Sequence, residues 1–139
     1  MAIQSAMDWL ATTVQGVTGV SIAKSLGEDA TPNNTVWAMV FPGDGTFTTD
    51  SWGSARDLHN IRILLGTARG DLRATMLRLK GLPEAIADAV RADPSLGGSV
   101  ETFGSITYVF SPGVWMDVPF LGYVFTVTDV KVLKAITMS

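Results

Sequence analysis

The spacing of the apolar side chains changes from two residues to about 3.6 within one stretch of this chain, between residues 58 and 90. Residues 58–65 alternate between an apolar and a more polar face, the period expected of a strand with one buried side. The apolar face comprises His59, Ile61, Ile63 and Leu65. The chain must therefore place a strand directly before a helix.

The helical pattern begins after Gly70, where Asp71 is suited to an N-cap position. A single apolar stripe then continues through Leu72, Met76, Leu79, Pro83, Ile86 and Val90. This stripe predicts one long central helix. Pro83 lacks a backbone donor, so we expect the helix to break or kink near Gly81. Residues 92–98, ADPSLGG, end it.

The remaining segments complete an α+β pattern. Residues 1–16 predict an amphipathic helix whose apolar face comprises Ile3, Met7, Leu10 and Val14. Residues 25–35 are rich in turn formers and predict a loop, and residues 36–41 predict a buried strand that stops at Pro42. Residues 45–52 have an extended pattern.

The last third of the chain predicts two strands. Ile106, Tyr108 and Phe110 share one face of the first, and Tyr123, Phe125 and Val127 share one face of the second. We expect a single domain over residues 1–139. Its predicted fold is α+β: a mixed, mostly antiparallel sheet flanked by an N-terminal helix and a long kinked central helix.

Composition restricts the function classes. Hydrophobic residues make up 47% of the chain and charged residues 17%, a balance that favours burial between subunits. No cysteine is present, which excludes disulfides and thiol chemistry. The net charge of −3 argues against strong electrostatic binding to nucleic acid. We expect no signal peptide and no membrane span.

The residues that carry catalysis in other proteins are scarce. His59 is the only histidine, and its place on the apolar face of a strand predicts a packed or rim side chain. Asp44 and Asp50 lack the spacing of a calcium loop, and the glycines lack that of a phosphate-binding loop. We therefore predict no enzymatic activity and no catalytic, cofactor-binding or metal-binding residues.

Aromatic and charged residues outside the predicted core are candidates for an interface. Aromatic and arginine side chains are enriched in protein–protein contacts, although an arginine-rich rim is also ordinary solvated surface. The candidates are Trp9, Trp52, Arg56, Asp57, Arg69, Arg73, Trp115 and Asp117. We expect Trp52 and Trp115 to contribute more to assembly than to folding.

Four segments follow one another in this order: VWAMVFPGDGTF, ARDLHNIRILLGTARGDL, IADAVRADPSLGGSVETFG and FLGYVFTVTDVKV. Together they resemble the tail terminator (tail completion) proteins of long-tailed bacteriophages. They cover most of the chain from about residue 36 onward, and ADPSLGGSV is the most specific. Residues 25–35 and the C-terminal LKAITMS match no pattern of that family.

The resemblance implies a ring of six copies that caps the head-proximal end of the tail tube. Such a ring stops tube polymerisation and offers a surface for head attachment, while DNA passes through its lumen without sequence-specific binding. The implied partners are further copies of the chain, the tail tube protein and a head-side connector or head-closure protein, with no membrane. The implied location is the virion tail, and the host cytoplasm during assembly. Residues 55–72 would then be scaffold with an arginine-rich rim.

Three alternatives stay open at this point. A head-closure or adaptor protein would share this size and composition. A cellular α+β module for a small ligand would be monomeric and would contain a concave apolar pocket. An enzyme would have to rely on His59 or on carboxylates.

Overall fold

A computed structural model describes residues 2–20, 22–25, 36–49, 54–68, 72–115 and 118–135. Three helices occur in this part of the chain: α1 (Ala2–Gln15), α2 (Leu72–Leu79) and α3 (Leu82–Arg91). The strands are β1 (Ile22–Ser25), β2 (Trp37–Thr49), β3 (Ser54–Ala68), β4 (Ser105–Phe110), β5 (Gly113–Trp115) and β6 (Val118–Ala135). The predicted α+β class is confirmed.

The strands form one mixed sheet in the order β1-β2-β3-β6-β4, and β5 pairs with the beginning of β6. Strands β1 and β2 run parallel, and every other described pair is antiparallel. The pairing of β3 with β6 extends from Ser54 opposite Ala135 to Ala68 opposite Phe120. The shorter strand β4 pairs with the other side of β6 and forms an edge of the described sheet.

Helices α1 and α3 cover one face of the sheet and enclose the main core. The predicted face of α1 is confirmed for Met7, Leu10 and Val14, which are buried. The core takes side chains from both helices and from the central strands, and burying them drives this packing. The fully buried members include Leu10, Ile61, Ile63, Leu65, Ile86, Val90, Phe125, Val127 and Val130. The predicted apolar face of β3 is thereby confirmed at its three aliphatic positions.

The predicted long central helix is two separate helices. Gly81 precedes α3 with a φ of 80°, a left-handed conformation that ends the first helix, and Pro83 lies in the first turn of the second. Leu79, Ile86 and Val90 keep their predicted burial, whereas Met76 is exposed. The predicted break or kink near Gly81 is confirmed as a break, so the prediction of one long kinked helix was wrong.

Strand β2 does not stop at Pro42. It continues to Thr49 through an irregularity between Pro42 and Gly45. Among the described residues, β1 pairs with β2 only as far as Val40. Pro42 therefore lies where the strand is an edge, and an edge tolerates a residue without a backbone N–H group. The extended conformation predicted for residues 45–52 is confirmed for Gly45–Thr49.

A bulge in β6 decides which side chains of its C-terminal half face the core. Thr128 and Asp129 lie between the pairs Ile61–Val127 and His59–Val130, where β3 has only Asn60. Asp129 has a φ of 53°, and its N–H donates to Oδ1 of Asn60 at 3.3 Å. The extra residue keeps Val127 and Val130 on the core face. His59, paired with Val130, also lies on that face, as predicted.

Candidate interaction surface

A row of four aromatic side chains crosses β4 and β6 on the helix-covered face of the sheet. Tyr108 pairs with Phe125, and Phe110 pairs with Tyr123. The ring centroids of Tyr108 and Tyr123 lie 5.8 Å apart, and those of Phe110 and Tyr123 lie 5.7 Å apart, within the range of edge-to-face contacts. Phe125 is fully buried, whereas Tyr108 is 58% exposed and Phe110 is 44% exposed. The row thus runs from the core out to the sheet edge.

A groove separates this row from the helices and is called here the aromatic groove. It encloses about 550 Å³ and is lined by Met76, Leu77, Lys80, Gly81, Pro83, Glu84, Tyr108 and Tyr123. A second hollow of about 570 Å³ shares Pro83, Glu84 and Tyr108 with it and continues toward Phe103 and Ile106. The two hollows together follow the helix-facing side of β4.

The outer edge of β4 adds backbone groups to this surface. Ser111 N–H donates to the carbonyl of Gly122 at 2.8 Å, so Ser111 faces β6. Because the pairs of an antiparallel ladder alternate, Tyr108 and Phe110 direct their own N–H and C=O groups away from β6. Within the described part of the sheet no strand lies on that side. Val109, on the opposite face, is 65% exposed.

A second apolar feature lies at the other end of the sheet, on the distal part of β2. We call residues Gly45–Thr49 the arm strand. Phe47 is 79% exposed, and its ring meets the imidazole of His59 edge-on at 5.3 Å between centroids. Gly45 leaves the room for this imidazole, because a Cβ atom there would lie 2.6 Å from Nδ1 of His59. Asp57 pairs directly with Phe47 and is half-buried.

Of the eight predicted interface residues, the structure describes the side chains of two, Trp9 and Asp57. Trp52, Arg69 and Asp117 lie outside the described residues. Arg56 is in β3, Arg73 in α2 and Trp115 in β5, but their side chains are not among those described. Asp57 lies beside Phe47, and Trp9 packs against the main core. The structure brings none of the described candidates into the aromatic groove.

Trp9 is held by the turn that follows α3. The carboxylate of Asp93 accepts hydrogen bonds from the hydroxyl of Ser95 at 2.6 Å and from the N–H of Gly97 at 3.1 Å. The Ser95 hydroxyl is the main cause that lowers the pKa of Asp93, and the N–H groups of Ser95 and Gly97 add to it. The turn places Gly97 so near the indole that a Cβ atom would lie 2.9 Å from Cγ of Trp9. Trp9 thus has packing partners within its own subunit.

Among the described residues, sequence reasoning missed the most exposed apolar side chains, Phe47, Leu77 and Tyr108–Phe110. A signal was present in the last of these, because Tyr108, Val109 and Phe110 are consecutive apolar residues of a strand and cannot all face one core. Leu77 gave a weaker signal, since it falls off the helical stripe. Phe47 is a lone aromatic among polar residues and gave none.

The described residues contain no group of three or more His, Asp or Glu side chains arranged to hold a metal ion. No described helix is long and apolar enough to span a bilayer. No known protein family matches the sequence, and no curated protein matches it.

Proposed function

We propose that this chain is a structural subunit of a bacteriophage tail, a tail terminator that assembles into a ring of six. The ring caps the head-proximal end of the tail tube, stops its polymerisation and receives the head-side connector. Genomic DNA passes through the lumen. No enzymatic step belongs to this role.

The observation that carries the proposal is the apolar surface along an open strand edge. Leu77 is 60% exposed and lines the groove with Tyr108, and Phe110 and Val109 are exposed on the two faces of the same edge strand, in a chain with few charged residues. Monomeric proteins seldom leave large contiguous apolar patches in water, and such patches mark interaction sites. Strand edges are likewise places where another chain adds. Both features favour a subunit of an assembly.

The choice of a phage tail assembly comes from the sequence resemblance described above. A ring built by head-to-tail contacts needs two different surfaces on each copy, and closure requires only a fixed rotation between neighbours. The aromatic groove and the arm strand are two such surfaces. The negative net charge suits a lumen past which DNA slides without being retained.

Disabling the gene in its phage tests the role. Tails without a terminator should be of irregular, excessive length and should not join filled heads. Wild-type protein supplied in trans should restore both length and joining. Tails of normal length that join heads tightly would contradict the proposal. Labelled particles imaged by electron microscopy would distinguish a terminator from a head-closure or adaptor protein, because these occupy different levels of the neck.

A second candidate is favoured by the groove itself. A concave, partly aromatic groove of about 550 Å³ has the size of a site for a small apolar ligand. Light scattering across a wide concentration range separates the two functions. A six-subunit ring supports the terminator, whereas a monomer that binds an apolar dye in the groove supports the ligand-binding module.

A further inference from the structure

We propose that the arm strand of one copy adds to the outer edge of β4 in the next copy and inserts Phe47 into the aromatic groove beside Tyr108. The inference rests on the proposed function in one respect, that the copies close into a ring. The contact itself follows from the geometry of the subunit.

Both strands have an open edge among the described residues. β4 has β6 on one side and no described strand on the other. β2 has β3 on one side, and its pairing with β1 ends at Val40, well before the arm strand. Two open edges of similar length can satisfy each other's backbone donors and acceptors, as in strand addition.

The faces of the two strands match. Phe47 pairs with Asp57, which pairs with Val132, and Val132 packs against the main core. Phe47 therefore lies on the helix-covered side of the sheet, the side on which Tyr108 and Phe110 also lie. Placing the arm strand beside β4 with these faces aligned extends the aromatic row by one ring, across the groove from Leu77.

The contact must join different copies. Phe47 is three strands away from β4 in the sheet order, which is roughly 14 Å. Along β6, its level at Val132 is seven positions from Phe125, which is roughly 20 Å. A phenylalanine side chain cannot span these distances. A contact between different surfaces of identical copies propagates head to tail, and it forms a ring when the rotation closes.

Charge and shape favour another copy over an unrelated partner. Asp57 lies beside Phe47, and Lys80 lies on the rim of the groove together with Glu84. Neither Asp57 nor Lys80 has an ion pair with another described residue. One repeated contact would bury the exposed ring, fill the groove and bring Asp57 toward Lys80. A different partner in the groove would leave Phe47 in water.

Disulfide trapping tests the contact, because the chain has no cysteine of its own. Phe47→Cys and Tyr108→Cys single variants are mixed and oxidised with diamide. The mixture should yield a disulfide-linked heterodimer, whereas Phe47→Cys mixed with Gln4→Cys, on the exposed side of α1, should not. The double variant Phe47→Cys/Tyr108→Cys should give a ladder of linked subunits on a denaturing gel.

A pair of alanine variants at this end of the sheet provides the matched control. Phe47→Ala should raise the concentration at half-assembly about ten- to a hundredfold, from the loss of one buried aromatic side chain per contact. Leu58→Ala, in β3 opposite Thr46 of the arm strand and on the other face of the sheet from Phe47, should change it less than about threefold. Circular dichroism checks that both variants remain folded.

Four results would overturn the inference: assembled protein without the heterodimer, Phe47→Cys linking mainly to itself, a monomer at every concentration tested, or Tyr108→Cys linking to the tube protein and not to Phe47→Cys. Rings that form without this cross-link would leave the tail-terminator role standing. If the cross-link forms but disabling the gene leaves tail length unchanged, the tail-terminator role is wrong and the contact between copies stands.

Discussion

Replacing Gly97 by alanine should destabilise the subunit far more than the same change at its neighbour Gly98. Both residues have left-handed backbones, with φ angles of 75° and 82°. An alanine in this region costs about 1–2 kcal/mol at either position. The two sites differ only in what surrounds the new methyl group.

At Gly97 the added Cβ would overlap Cδ1 of Trp9 and lie 2.9 Å from its Nε1, whereas at Gly98 nothing lies within 4 Å. The atoms in the way belong to the base of a rigid indole ring packed against the core, so the ring cannot swing aside as a flexible chain end would. Overpacking of this kind costs about 1–3 kcal/mol. We therefore expect a loss of about 2–5 kcal/mol for Gly97→Ala and about 1–2 kcal/mol for Gly98→Ala.

Urea unfolding at concentrations where the protein is monomeric measures both losses, provided the m-values agree. Introducing Trp9→Ala should remove most of the difference between the two glycine variants, because the clash then has no partner. Equal losses for the two variants in the wild-type background would refute the packing of Trp9 on Gly97. An undiminished difference in the Trp9→Ala background would refute the clash as its cause.

Three further predictions follow from packing and charge. Gly122→Ala should yield no folded protein by circular dichroism, because its Cβ would overlap the carbonyl oxygen of Leu65 in the central ladder; a cooperative thermal transition would contradict this. Phe125→Ala should cost about 3–5 kcal/mol in monomer unfolding, and exposed Phe110→Ala much less, since only the first leaves a cavity; equal costs would refute the burial gradient along the aromatic row. Asp93 has a lowered pKa, so its stabilising contribution is complete above its usual pKa of 3.8 and is lost as the pH falls through the lower folded-state value. The stability gap between wild type and Asp93→Asn should thus be constant near neutral pH and narrow below pH 3.8; a gap that widens in acid would be inconsistent with this sign.

The sequence predicts the parts of the fold in which one face is buried continuously. Ile61, Ile63 and Leu65 alternate in the sequence and are buried in the sheet, and Met7, Leu10 and Val14 form the buried side of α1. Periodicity succeeds there because a single core decides every position. It does not give the strand order, because the successive strands β1 and β2 are parallel and β3 pairs with β6, which is distant in the sequence.

The errors fall where long-range pairing overrides a local signal. Pro42 predicts the end of a strand, but β3 continues to pair with β2 beyond it, because that part of β2 is an edge in the described sheet. The parallel strand β1 is too short to show a period, and β5 has only three residues. The partners of both short strands are defined only by the folded sheet. The interface candidates were chosen by residue type and stay a prediction, since only Trp9 and Asp57 among them have described side chains.

The break that divides the predicted central helix into two also produces the aromatic groove. In one continuous helix, Met76 would lie on the buried stripe with Leu79, Ile86 and Val90. The left-handed backbone at Gly81 ends that stripe, so the second helix continues to cover the core while Met76 and Leu77 line the groove. A residue without a Cβ atom is suited to this position, since the break requires a positive φ. Departures from a regular sequence pattern often occur where function requires them. Here the interruption of the helical stripe produces the apolar surface on which the proposed assembly depends.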